Sequence, residues 1–436
     1  MQAAQFARLI QPGDQIRHLL WCIERSCRLE HNTDHFAVGI EGTDIVAIES
    51  PGVGRQPGDR VIDCAETLVI PGLVNTHTHS CAIILRGLAD DLPRSHWTDF
   101  YAVPGQDRFG ADDYVAGAGI ACGEMLLNGV TCIADRWSYM ERIGEAIELS
   151  GIRAVLGPTI QDASGSADWR STDAVFERWG ADPRRRISAG LAPHAVNTVS
   201  DELQRRLAAE AERRRCRVFI HVAQSEREVA DVRMRGYEGT LACLAANGLT
   251  GAQVVAAHCI YLSPAEIAEW PRHRISIAHC PASNIKIEGR TLALAKLVGT
   301  VAIGIGTDWA ASDNAMDMLA ECRLAALVGK LLDDDPQALP VNTMLRMATI
   351  DGARVLGLDD VIGSIEVGKR ADLVVIDLAR LAANPRHVLA ANLLYSIGTS
   401  AIRDVLVDGE ILVRNHRLTR SREPELARSL HHLTKR

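Results

Sequence analysis

Apolar residues along this chain change their spacing as the chain proceeds. Between about Ile16 and Ala65, short alternating segments such as Phe36-Ala37-Val38-Gly39-Ile40 and Asp44-Ile45-Val46-Ala47-Ile48 are broken by Gly, Asp and Pro, the pattern of small antiparallel strands. From Leu68 onward, apolar runs of strand length alternate with stretches rich in Ala, Leu, Glu and Arg. In those stretches, at 114–127, 201–214 and 226–247, apolar residues recur near every 3.6 positions, which predicts helices. Eight strands are expected, at 68–79, 130–136, 153–161, 187–196, 217–225, 254–259, 275–281 and 301–309. After a further helical region at 315–356, strand character returns at 363–377 and 402–413. The alternation predicts an α/β fold: a (β/α)8 TIM-like barrel over 68–360, with a small discontinuous β-sandwich domain built from both chain ends, 1–67 and 361–436.

Composition narrows the partners. A length of 436 residues with 47% hydrophobic content supports a large core. The net charge of −8 supplies no basic stripe, and Arg184-Arg185-Arg186 and Arg213-Arg214-Arg215 read as local solvated faces, so nucleic acid is not an expected partner. Leu19-Leu20-Trp21-Cys22-Ile23 is too short to span a bilayer, and the N-terminus lacks the charged-then-apolar order of a signal peptide. The expectation is a cytoplasmic protein without a membrane partner. The 11 cysteines are scattered with no Cys-x-x-Cys pair, which fits reduced, buried thiols. It also removes the cytidine type of zinc deaminase, which needs such a pair.

Barrel active sites are built at the C-terminal ends of the strands. Here the first strand ends in His77 and His79, the second in Asp135 and Arg136, the fourth in His194, the fifth in His221, the sixth in His258, the seventh in His279 and the eighth in Asp308. A strand sends alternate side chains to one face, so His77 and His79 can share one metal ion. Any one of these histidines is explained as a packed structural residue, but six histidines and two aspartates gathered on one rim are not.

The chain resembles the amidohydrolase superfamily, in the branch that holds cytosine, guanine and adenosyl- or methylthioadenosine deaminases and the triazine hydrolases. The matching pieces are Pro71-Gly72-Leu73-Val74-Asn75-Thr76-His77-Thr78-His79, Ala257-His258-Cys259, Pro281-Ala282-Ser283-Asn284, Gly306-Thr307-Asp308 and the run from Gly363 to Leu373. The resemblance implies one divalent metal per chain, Zn²⁺ or alternatively Fe²⁺, held by His77, His79, His221 and Asp308. It places His258 and Asp308 where relatives take the proton from the attacking water. It also implies a small heterocyclic substrate and a homo-oligomer. Relatives with two metals bridge them through a lysine on the fourth strand. Every lysine of this chain (Lys286, Lys296, Lys330, Lys369 and Lys435) lies beyond the seventh strand, which excludes that bridge.

Departures from the family pattern lie on the substrate side. Deaminases of this branch carry His-x-x-Glu on the fifth strand and protonate the ring with the glutamate, whereas this chain has His221-Val222-Ala223-Gln224. A glutamine hydrogen-bonds a substrate but delivers no proton at neutral pH. Glu226 is the alternative acid nearby. Gln106, in Val103-Pro104-Gly105-Gln106, falls where nucleoside deaminases place a ribose-binding glutamate, and resembles atrazine chlorohydrolase instead. His194, Gln106, His279 and Trp309 are the expected substrate-binding residues, with Trp97 and Trp137 also near the rim. The expected activity is hydrolytic removal of an exocyclic amino group from an N-heterocycle. The alternatives are displacement of chloride or alkylamine from a triazine-like ring, or a non-catalytic metal-binding relative.

Overall fold

The computed structural model describes residues 6–7, 37–49, 61–64, 66–88, 90–92, 96, 103–163, 167 and 169–433. Its larger part is parallel sheet alternating with helix. Strands are numbered β1 (Ala37–Glu41), β2 (Asp44–Glu49), β3 (Thr67–Pro71), β4 (Leu73–Thr78), β5 (Val130–Trp137), β6 (Arg153–Ile160), β7 (Ile187–Ala189) and β8 (Ala192–Pro193). They continue as β9 (Val218–Val222), β10 (Val254–His258), β11 (Ile275–His279), β12 (Ile303–Ile305), β13 (Leu373–Asp377), β14 (Ile402–Val407) and β15 (Glu410–Val413).

Parallel pairing runs β4-β5-β6 and on to β7 and β8, and separately β9-β10-β11-β12. Isolated parallel bridges join one arc to the other at both seams: Leu191 with Val218 and Ala195 with His221 on one side, Thr78 with Asp308 on the other. All eight expected strand regions carry strand, the fourth as the two short pieces β7 and β8. Inside the arcs sits an apolar plug of Val74, Cys132, Ala134, Val155, Phe219 and Val255 with Val355 and Leu356. The outward faces of the strands pack on the helices in the main core.

The first expected strand, 68–79, is divided at Gly72. Thr67–Pro71 pairs antiparallel with β13, and Leu73–Thr78 enters the parallel arc. Gly72 N donates to Asp372 O at 2.9 Å, and a Cβ there would lie 1.9 Å from Thr131 Oγ1, so only glycine lets the chain pass from one sheet to the other. β3, β13, β14 and β15 form an antiparallel sheet, one face of which packs on the β1–β2 hairpin through Val38, Ile40, Ile45, Val69, Leu373 and Leu406. This small unit therefore takes strands from both ends of the chain.

Arg153, buried at the start of β6, binds the small unit to the barrel. Its Nε and Nη2 donate to Asp372 at 2.8 and 3.0 Å, and Nη2 also meets Asp408, which Arg186 contacts at 2.9 Å. Arg186, read from the sequence as solvated, is thus committed to the junction. The expected helix at 226–247 is two helices, Glu226–Met234 and Thr240–Ala246. The second begins afresh because Glu266 accepts from Leu241 N at 3.0 Å and Thr240 Oγ1 at 3.1 Å, an external carboxylate cap on its N-terminus. No described helix is long and apolar enough to cross a membrane.

Candidate metal centre and active site

The polar strand ends converge, and local irregularities of the backbone aim them. On β9, alternation is regular: Phe219 faces the inner plug, Ile220 and Val222 face the helices, and His221 faces inward. On β10, Val255 and Ala257 face inward, so strict alternation would turn His258 outward with Ala256. His258 instead adopts φ 74°, which redirects it to the ring of His221, 5.1 Å away between centroids. On β4 the pairing register with β5 shifts between Asn75 and Thr78, and this bulge sits directly before the histidine pair. Asp308 has φ 60° and Ala223 φ 48°. Left-handed backbone at three such residues around one site is strain that the surrounding packing must hold.

Asp308 is fixed opposite the pair by a network between β4 and the segment after β12. Asp308 N donates to His77 O at 2.9 Å, Thr78 Oγ1 to Asp308 O at 3.0 Å, and Asn75 Nδ2 to Thr307 Oγ1 at 2.8 Å. Gly306 is required because a Cβ there would lie 2.9 Å from His77 N and His77 O.

His77 Nε2 and His79 Nε2 both approach Asp308 Oδ1, at 3.3 and 3.1 Å. His79 Nδ1 lies 2.8 Å from Arg136 O, a carbonyl that can only accept, so Nδ1 carries the hydrogen and Nε2 a lone pair. Two lone-pair nitrogens or a nitrogen and a carboxylate oxygen at such range repel unless a cation or proton lies among them. His77 Nε2 and both ring nitrogens of His221 are buried without a hydrogen-bond partner. Burial pushes His77 down to about 3 and His221 well below the ordinary imidazole range, so both stay neutral, the form that binds metal. This donor set fits a divalent ion.

One quartet of ligand atoms, all within 4.8 Å of one another, comes from His77, His221, His258 and Asp308. His79 stands outside that quartet yet has the shorter approach to Asp308 Oδ1, so five side chains are in reach of one centre. Their hydrogen-bond partners separate them. His258 Nδ1 lies 2.9 Å from Asn284 Oδ1, and Asn284 Nδ2 donates to Thr291 Oγ1 at 3.3 Å, so the amide oxygen accepts from His258 Nδ1–H and leaves Nε2 as a base. Asp308 Oδ2 accepts from Ser283 Oγ at 2.6 Å and Ser312 Oγ at 3.3 Å, which stabilises the carboxylate form.

A cavity of about 440 Å³ opens over this centre. His79, His221, His258 and Asp308 form its metal-side wall, and His194, Gln106, Gln224 and Trp309 also line it. His279 does not line it: it is buried beside the cavity with Nδ1 unpartnered, and burial pushes it down to about 3. Glu226 is exposed, 3.8 Å from Arg290, and also outside the lining. Trp137 lines the cavity, whereas Trp97 lies outside the described residues. Gln161, Thr159 and Arg136 line it too, and the sequence reading gave them no role. Arg136 was visible as a charged residue at a strand end, the signal that would have found it. Burial pushes its guanidinium down to about 9.

A parallel α/β barrel with a buried divalent-metal site under a cavity at the strand ends is the class that fold and site define. The chain belongs to the amidohydrolase family, whose sequence profile matches residues 68–412. A 5-methylthioadenosine/S-adenosylhomocysteine deaminase of Moorella thermoacetica is 37% identical over 359 residues, 81% of this chain and 84% of the relative. A 5'-deoxyadenosine deaminase of Methanosarcina mazei is 33% identical over 84% of this chain and 85% of the relative. Among solved structures, an adenosine deaminase from Xanthomonas campestris with bound zinc superposes with a TM-score of 0.85 at 33% identity, over 92% of this chain and 93% of that one. Atrazine chlorohydrolase from Arthrobacter aurescens, complexed with zinc, has a TM-score of 0.84 at 23% identity over 92% and 95%, a likeness of fold alone.

Proposed function

We propose that this chain is a mononuclear metal-dependent aminohydrolase that removes an exocyclic amino group from an N-heterocycle and releases ammonia. The observation that carries the reading is the approach of His77 Nε2 and His79 Nε2 to one oxygen of Asp308 beneath a cavity whose lining includes the neutral hydrogen-bonding side chains of Gln106, Gln161 and Gln224. His77, His79, His221 and Asp308 would hold one divalent ion, zinc or iron(II). A bound ion supplies Lewis acidity, which lowers the pKa of water toward ~7.

The protein's own groups do the rest. His258, whose Nδ1–H is held by Asn284 so that Nε2 carries the lone pair, takes the proton of the attacking water and passes it to the departing nitrogen. Asp308 stays ionised through its two serine donors. His194 Nδ1 lies 2.9 Å from Thr198 Oγ1, whose own proton goes to Ala195 O, so His194 Nε2 is left to accept a ring N–H. Gln106 and Gln224 offer both donor and acceptor to ring heteroatoms, and Trp309 and Trp137 offer flat apolar faces. The nine cysteines among the described residues are free thiols, eight of them buried, which supports the cytoplasmic reading.

Ammonia release from a panel of aminopurines, aminopterins and aminotriazines, with the metal of the same preparation measured, tests the proposal. Turnover of at least one is expected; a fully metallated protein that releases ammonia from none refutes it. Gln224 favours a second reading, displacement of chloride or alkylamine, because chloride leaves without a proton. Chloride release without ammonia release would select it.

A further inference from the structure

Asp135 and Arg136 precede the last residue of β5, and the two side chains go opposite ways. Asp135 turns outward and accepts from Ser80 N at 3.0 Å, while Arg136 follows inward-facing Ala134 into the cavity. Arg136 is 2% exposed. Nη1 donates to His194 O at 3.0 Å, Nε finds no partner, and no carboxylate among the described residues makes an ion pair with the guanidinium. The acidic group it senses is Asp308, whose Oδ1 faces His77 and His79 and whose Oδ2 takes two serine hydroxyls. Glu288, the other carboxylate of the lining, accepts from the Tyr261 hydroxyl. Pinning His194 O uses one of five N–H donors, and a buried cation with its remaining donors unmet is costly unless something anionic meets it.

We propose that Arg136 is the anion-binding residue of this cavity, and that the substrate is an amino-heterocycle carrying an anionic oxygen that accepts from the guanidinium. The oxygen is either an ionised ring oxo group or a carboxylate substituent; both present the same acceptor to the fork. The inference rests on the aminohydrolase reading of the cavity and specifies its substrate class.

Matched pairs test it: an aminooxopurine, assayed above the pKa of its ring N–H so that the oxygen is anionic, against the aminopurine lacking the oxygen, and a carboxylated aminoheterocycle against its carboxamide. For one pair, kcat/KM of the wild-type protein should favour the anionic member by about tenfold or more, and that pair identifies the source of the oxygen. Arg136→Met should lose about 100-fold more on the anionic member than on the neutral one, whatever both lose through the His194 contact. Arg136→Lys should retain part of the preference, because it keeps the charge but not the fork. A second readout is independent of turnover: Kd for an oxo- or carboxy-heterocycle without an amino group, followed by Trp137 and Trp309 fluorescence in zinc-loaded protein. It should weaken about 100-fold more in Arg136→Met than the Kd of the neutral counterpart does. If no pair member releases ammonia, the deaminase reading fails and this binding difference still decides the role of Arg136. Equal affinity for charged and neutral members in the wild type, or equal loss of both in Arg136→Met, overturns the proposal. Should Arg136→Met lack metal or fold, the wild-type pairs and Arg136→Lys decide.

Discussion

Replacing Gln224 by glutamate asks whether the amide limits deamination. Gln224 lines the cavity, so a carboxyl of nearly equal volume takes its place without a cavity or clash. Its surroundings also set the protonation state. Gln224 N donates to Glu228 Oε2 at 2.9 Å and Ala223 N to Glu228 Oε1 at 3.0 Å, so a buried carboxylate already stands against this stretch of backbone. Like charge and partial burial both raise the pKa of a new carboxyl at 224, the direction a general acid needs. A positioned general acid contributes roughly 10²–10⁴ in rate; taking the lower end, because no surrounding group is arranged for this acid, gives about 100-fold, or about 2.7 kcal/mol. Initial rates of ammonia release should rise by that factor in Gln224→Glu. Because the acid must be protonated, the gain should fade as pH rises through its pKa. Gln224→Leu, which can neither donate nor accept, should lose activity. An unchanged or lower rate in Gln224→Glu with metal content intact would refute the reasoning. An unchanged rate of chloride release beside a raised rate of ammonia release would mark the amide as a choice between leaving groups.

Three further outcomes are expected. Chelated protein should rebind one equivalent of zinc per chain, and a 100-fold excess of ion over its Kd should stabilise the fold by about 2.7 kcal/mol in urea titrations; two tightly held equivalents would contradict a mononuclear site. Arg153→Met leaves Asp372 buried and unpaired and should lower stability by about 3–5 kcal/mol, with Asp372→Asn in the same chain recovering part of it; a loss under about 1 kcal/mol would remove Arg153 from its place at the junction. His279, pushed down to about 3 by burial, binds its proton in the unfolded chain near pH 6.5 but not in the native one. Its contribution is therefore intact above pH 6.5 and lost as pH falls toward 3, at about 1.4 kcal/mol per pH unit. Urea midpoints at pH 7.5 and 5.5 should show His279→Gln with a shallower pH dependence than the parent.

What the sequence makes legible follows from how each feature is encoded. Period-two and period-3.6 patterns reveal elements, and so the order of strands and helices could be read. His221 could be read onto the cavity face because β9 keeps regular alternation through Phe219. The same rule fails at β10, where it would send His258 outward; a left-handed residue at 258 brings it back, and nothing in the composition of Ala257-His258-Cys259 announces that φ. It also fails at Gly72, where one apolar run hides a change of sheet at a residue that the Thr131 side chain restricts to glycine. Arg136 escaped for a different reason. A single charge at a strand end is the commonest of surface residues, and its meaning lies in what does not surround it, an inner-facing position and the lack of an ion pair among the described residues. Metal ligands are legible because one ion demands several residues of the same kind at fixed places, whereas substrate residues answer to a molecule that varies. The departures at Gln106 and Gln224 and the cation at Arg136 line one cavity, so they are better read together, as one altered substrate, than as three separate losses.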